Sequence, residues 1–77
     1  MRITLEPTSK VVELVVNGAA VPARIWEGTT DAGVPMHAYI TRVAVAENQD
    51  ASAFERELLA QRKPSVEVAA ITLRLIL

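Results

Sequence analysis

Two apolar runs flank a single Asn-Gly pair, and that pair constrains this chain more than any other feature. Val11–Val16 is an apolar run, Asn17-Gly18 follows, and a second run returns from Val21 to Glu27 before Gly28. Both central residues of a type I′ turn need positive φ, and Asn-Gly meets that need at least cost. A two-residue turn also sets the register: Val16 faces Ala19, Leu14 faces Val21 and Val12 faces Ala23. Directly paired residues share a face. One face is then Val12, Leu14, Val16, Val21, Ala23 and Ile25, all apolar. The other is Val11, Glu13, Val15, Pro22, Arg24 and Trp26, which is mixed. The apolar face is the expected core.

The remaining elements are read outward from this hairpin. Ile3 and Leu5 alternate with Arg2, Thr4 and Glu6, which suggests a short first strand broken by Pro7-Thr8-Ser9. Gly28–Val34 is a polar loop. Met36–Ala46 is rich in β-branched and aromatic residues and reads as a long strand. Two registers compete for it, and a one-residue slip exchanges every side chain between faces. One buries Tyr39, Thr41, Val43 and Val45 and turns Ile40 and Arg42 outward. The other buries the Arg42 charge, which is costly without a partner. The first is expected. After the polar loop Glu47–Asp50, Ser52-Ala53-Phe54-Glu55 has the form of a capping box. A helix should run from there to Arg62, with Arg62 and Lys63 at its negative end and Pro64 stopping it. It should lay Phe54, Leu58 and Leu59 on the core. The last strand alternates Ile71, Leu73, Leu75 and Leu77 with Thr72, Arg74 and Ile76. The expectation is a single α+β domain over residues 1–77. Its order is β-β-β-β-α-β: an antiparallel sheet of four to five strands with one helix on one face.

Composition narrows the function. The 77 residues are 51% hydrophobic, contain no cysteine and one histidine, and carry a net charge of −1. Disulfides, thiolate metal sites and cysteine nucleophiles are excluded. A lone histidine gives little basis for a zinc site. A near-neutral balance argues against general affinity for nucleic acid or anionic lipid. No apolar stretch approaches the ~20 residues that span a bilayer, and the N-terminal residues lack a signal peptide's apolar core. A cytoplasmic protein without a cofactor is expected. So high an apolar fraction in so short a chain points to an oligomer.

No motif names a chemistry. His37 has no Ser-His-Asp arrangement around it and reads as structural. Thr29, Thr30 and Asp31 offer one carboxylate, too few oxygens for a hard cation. Gly28 and Gly33 are not followed by the Gly-Lys-Ser/Thr of a phosphate loop. Glu55 and Glu57 sit two apart on a helix and diverge. The expectation is a protein that is not an enzyme.

The outer sheet face carries what signal there is. It should present Arg24, Trp26, Met36, Ile40 and Arg42, joined by Arg74 and Ile76 if the last strand turns Leu73 and Leu75 inward. Uncovered antiparallel faces are usually polar. Trp, Met, Ile and Arg together are types enriched at interface hot spots. Three readings of this face stand side by side. It is a solvated face with Arg stems over the Trp ring. It is a contact face for a protein partner, including a second copy in a homodimer. Or it is a stacking platform for single-stranded nucleic acid, for which three arginines and one tryptophan are a thin basis.

The segments Pro22-Ala-Arg-Ile-Trp-Glu-Gly28, His37-Ala-Tyr-Ile-Thr-Arg-Val-Ala-Val45, Phe54-Glu-Arg-Glu-Leu58 and Leu73-Arg-Leu-Ile-Leu77 resemble short uncharacterised proteins encoded by bacteria, phages and integrated mobile elements. The resemblance implies a small cytoplasmic accessory protein and brings no catalytic residues. Proteins of that kind often act by binding host machinery, and anti-defence inhibitors such as anti-CRISPR proteins are one class of them.

Overall fold

In the computed structural model, which describes residues 1–77, the hairpin forms as its turn dictates. Strand β1 spans Ile3–Val16 and β2 spans Ala19–Thr30. Asn17 and Gly18 take φ of 51° and 81°. Val16 faces Ala19, Leu14 faces Val21 and Val12 faces Ala23, the register set by the turn. Pro7-Thr8-Ser9 does not break the strand. It makes a bulge instead: Pro7 faces Trp26 and Val11 faces Arg24, so Thr8, Ser9 and Lys10 together oppose Ile25. Thr8 is fully buried there. Its hydroxyl donates to the Ile25 carbonyl (2.6 Å) and accepts from the Lys10 amide (3.2 Å). A side chain thus supplies bonds that the interrupted ladder cannot, and the two expected strands become one bent strand.

Strand β3, Pro35–Ile40, pairs with β2 so that Tyr39 faces Ile25 and Ile40 faces Arg24. That is the expected register. The strand stops at Ile40, however, not at Ala46, and the neighbouring strand explains why. The Glu13 amide donates away from β2, to the Leu73 carbonyl (2.7 Å). The Glu13–Pro22 pair therefore exchanges no ladder bonds, and the Pro22 backbone faces the β3 side. Arg42 would be the next residue to bond there, and Pro22 has no N–H to offer it. The chain leaves the sheet, and Thr41, Val43 and Val45, expected in the core, are exposed; Tyr39, also expected there, faces Ile25 but is 38% exposed.

The second half of the chain departs further from expectation. Helix α1 spans Ala51–Leu59, starting two residues earlier and ending three earlier than the sequence suggests. Its N-cap is Asp50, not Ser52. The Asp50 carboxylate accepts from the Ser52 amide (3.0 Å) and from the Ser52 hydroxyl (2.6 Å). An ionised oxygen at the positive helix end outcompetes a hydroxyl. Bonding to Ser52 holds the Asp50 pKa below the usual carboxylate range. Arg62, expected at the helix end, instead joins the open edge of β1. Its amide donates to the Pro7 carbonyl and its carbonyl accepts from the Ser9 amide, both at 3.0 Å. A second, unforeseen helix, α2, covers Val66–Ala69, capped by the Ser65 hydroxyl accepting from the Val68 amide (3.3 Å). Strand β4, Arg74–Ile76, closes the sheet in the order β3-β2-β1-β4.

The sheet is therefore mixed, not antiparallel, because β4 runs parallel to β1. The direction follows from the anchors. The chain meets β1 at Thr8 through Arg62 and again at Glu13–Val15 through β4. Moving from Thr8 to Glu13 is moving along β1 in its own direction. Four strands form, in the order β-β-β-α-α-β.

Between those two anchors the chain crosses the inner face, so α2 covers the core and α1 does not. Val12, Leu14, Ala23 and Ile25 pack with Val68 of α2, and Ile71 and Leu75 lie against them. Val16 and Val21, near the hairpin tip, remain partly open. Glu27 fastens the crossover. Its carboxylate accepts from the Ser65 amide (2.7 Å) and lies 3.7 Å from the Arg62 guanidinium. Burial pushes this carboxyl up, but the bonds from Ser65 and the charges of Arg62 and His37 outweigh burial and hold its pKa below the usual range.

Candidate functional site

The outer face is built in rows across the sheet. Val11, Arg24 and Ile40 form one row, and Pro7, Trp26 and Ala38 form the next. Helix α1, expected on the inner face, reaches the outer one instead, and Leu58 and Leu59 lie beside these rows. Together with Arg42 and Val43 they enclose an open hollow of about 410 Å³. Four of the seven residues singled out from the sequence meet here: Arg24, Trp26, Ile40 and Arg42. Arg74 and Ile76 are on the same face but on the far side of β1, opposite Glu13 and Val15. Met36 faces Gly28 and borders a different hollow.

The polar groups of the face are not equivalent. The Arg24 guanidinium donates to the Thr8 carbonyl (2.8 Å), which ties it to the bulge. Arg74 pairs with Glu13 at 3.8 Å. Trp26 is half-buried, while Leu59 is 76% exposed. The hollow therefore has an apolar floor and wall, with one arginine fixed in place at its edge. Such a surface offers burial to an apolar group and no convergent acid, base or nucleophile.

Sequence reasoning missed Leu58 and Leu59, which it placed in the core. The stripe Phe54–Leu58 was visible, but no local signal states which side of a sheet a helix will reach. The parting signal at Pro22 was present: the hairpin register already implied which side its missing N–H would face.

A second hollow of about 450 Å³ lies by the inner face, bordered by Glu27, Met36, His37, Arg62, Ser65 and Glu67. It is more polar, and its charged groups are largely matched to one another. Glu27 is held by Ser65 and Arg62, as described. His37 Nε2 lies 3.2 Å from the Tyr39 hydroxyl, and the two rings meet edge to face with centroids 5.4 Å apart. No three His, Asp or Glu side chains are grouped to hold a metal ion. No helix is long and apolar enough to cross a membrane.

No family model, curated protein or solved structure matches this chain.

Proposed function

We propose that this chain is a non-catalytic protein-interaction module that binds through the outer-face hollow. The observation that carries the reading is convergence. Trp26 and Ile40 from two strands and Leu58 and Leu59 from α1 meet in one open apolar depression rimmed by Arg24 and Arg42. Aromatic, aliphatic and arginine side chains around a depression are the make-up of a protein-binding hot spot. The arginines favour this reading over single-stranded nucleic acid. Phosphate contacts need free guanidinium groups, and Arg24 and Arg74 already have partners within the chain. On this reading the chain is a small cytoplasmic accessory protein, of the phage or mobile-element kind, that works by binding, anti-defence inhibitors included.

Trp26 is the chain's only tryptophan, so its fluorescence reports on the hollow. The test is to pan the sparsely immobilised protein against a random-peptide library and titrate recovered peptides against Trp26 emission. The expected result is peptides that shift the emission and bind Leu59→Lys at least about tenfold more weakly. Peptides that bind wild type and Leu59→Lys alike, with no change in emission, would refute the reading. Steeply salt-dependent quenching by a single-stranded oligonucleotide would replace it.

A further inference from the structure

We infer that the occupant of the outer-face hollow is a second copy of this chain, held in part by antiparallel pairing of Arg42–Ala46 with the same segment of the other copy. The inference rests on the preceding reading that the hollow binds protein. Three observations carry it.

The first is surface. The chain exposes 5873 Å², whereas a compact monomer of 8.4 kDa should expose about 4,600 Å². Its radius of gyration is 13.7 Å, against about 11.5 Å for a compact domain of this length. The excess is about 1,300 Å² per chain, or about 2,600 Å² for two, which falls within the range of obligate dimers. The surplus includes large apolar side chains, Leu59 and Val43 at the hollow among them.

The second is unmet backbone bonding. Arg42–Ala46 has the composition of a strand, yet no backbone hydrogen bond joins it to the rest of the chain. Pro22 denies it the partner that β2 would have been. A β-prone segment with free donors and acceptors is a template for another strand. Arg42 and Val43 also line the hollow, so segment and hollow form one continuous patch.

The third is self-complementarity. A segment that pairs antiparallel with its own copy generates a two-fold axis, and a closed two-fold interface uses the same patch on both sides. Centred on Ala44, the pairing sets Val43 against Val45 of the other copy, twice over, and Arg42 against Ala46. β-branched residues oppose each other and no like charges do. With a net charge of −1, two copies repel weakly.

The test is light scattering after size exclusion across a micromolar concentration series, with Trp26 emission read on the same samples. The variants are Leu59→Lys in the hollow and Ala44→Pro at the axis, each checked for folding by circular dichroism. Neither residue is buried. Wild type should approach twice 8.4 kDa as Trp26 emission moves to shorter wavelength. Each variant should weaken association at least about tenfold. A wild-type monomer throughout overturns the inference and leaves peptide binding by the hollow to its own test. A dimer indifferent to both variants, with constant Trp26 emission, also overturns it and places the dimer contact elsewhere. A dimer weakened by Leu59→Lys but not by Ala44→Pro overturns the strand pairing.

Discussion

The two faces of the sheet are made by the same strands, and both carry apolar side chains, yet one is closed and the other is hollow. The inner face has Val12, Leu14, Ala23 and Ile25 sealed by Val68. The outer face has Val11, Trp26 and Ile40 beside Leu58 and Leu59, with space between. Apolar content does not account for the difference. Helix α1 contributes Phe54, Leu58 and Leu59 and has no buried residue, whereas the four-residue α2 contributes one, Val68. Tethering does account for it. The segment bearing α2 is pinned to β1 at Arg62 and again at β4, a few residues to either side. Helix α1 is pinned only on its C-terminal side and follows a stretch with no backbone bonds. A short span between two fixed points must lie close to the sheet, and a long free one need not.

The contrast can be broken most directly by cutting into each face. Ile25 is 0% exposed, and Ile25→Ala should destabilise the fold by about 2–5 kcal/mol in urea unfolding. Leu59→Lys on the outer side, measured at concentrations too low for two copies to associate, should change stability by no more than about 0.5 kcal/mol. Similar losses in both variants would mean that the outer face is a second core. A smaller effect is expected at the bulge, where Thr8 serves both faces: its hydroxyl bonds the strand within, and its carbonyl receives Arg24 from without. Thr8→Val keeps the shape and leaves the Ile25 carbonyl unbonded, at a cost of about 1–3 kcal/mol. A variant as stable as wild type would show the bulge to be held by packing alone. The smallest effect sharpens the picture of the crossover. Glu27 has a folded-state pKa below its ordinary 4.5, so the folded chain binds fewer protons there than the unfolded one. Its contribution is complete above that pH and is lost as pH falls through the folded value. Urea midpoints should decline on acidification, and Glu27→Gln should flatten that decline. An unchanged slope in Glu27→Gln would assign the acid sensitivity to other carboxylates.

What was legible in the sequence was what neighbours along the chain decide. The Asn17-Gly18 turn, the register it imposes, the inner row Val12–Leu14–Ala23–Ile25 and the outward turn of Arg24, Trp26 and Ile40 all follow from side-chain alternation across one tight turn. At Pro7–Ser9 the sequence marked the right place but suggested a break, and the bulge that forms instead depends on Thr8 finding the Ile25 carbonyl on another strand. What was hidden is decided at a distance. Nothing near Arg62 announces that it will dock beside Thr8, and that docking sets both the direction of β4 and the choice of α2 over α1 as the cover. The placing of Arg24, Trp26 and Ile40 on the outer face was therefore legible, and the hollow itself, with its helix side, was not.

The parallel pairing of β4 with β1 also has a bearing on the order of events in folding. Glu13 meets Arg74 across roughly sixty residues, so this contact carries a large loop-closure cost, while the β1–β2 hairpin closes over two. The hairpin can form early and fast, and the crossover must come late. Until it does, Leu14 and Ile25 stand on an uncovered sheet beside an unpaired β1 edge, a form prone to aggregate. The tight hairpin that makes this fold readable thus also creates its most vulnerable intermediate. Late arrival of residues 62–76 is then a race between Val68 covering that face and another hairpin doing so first.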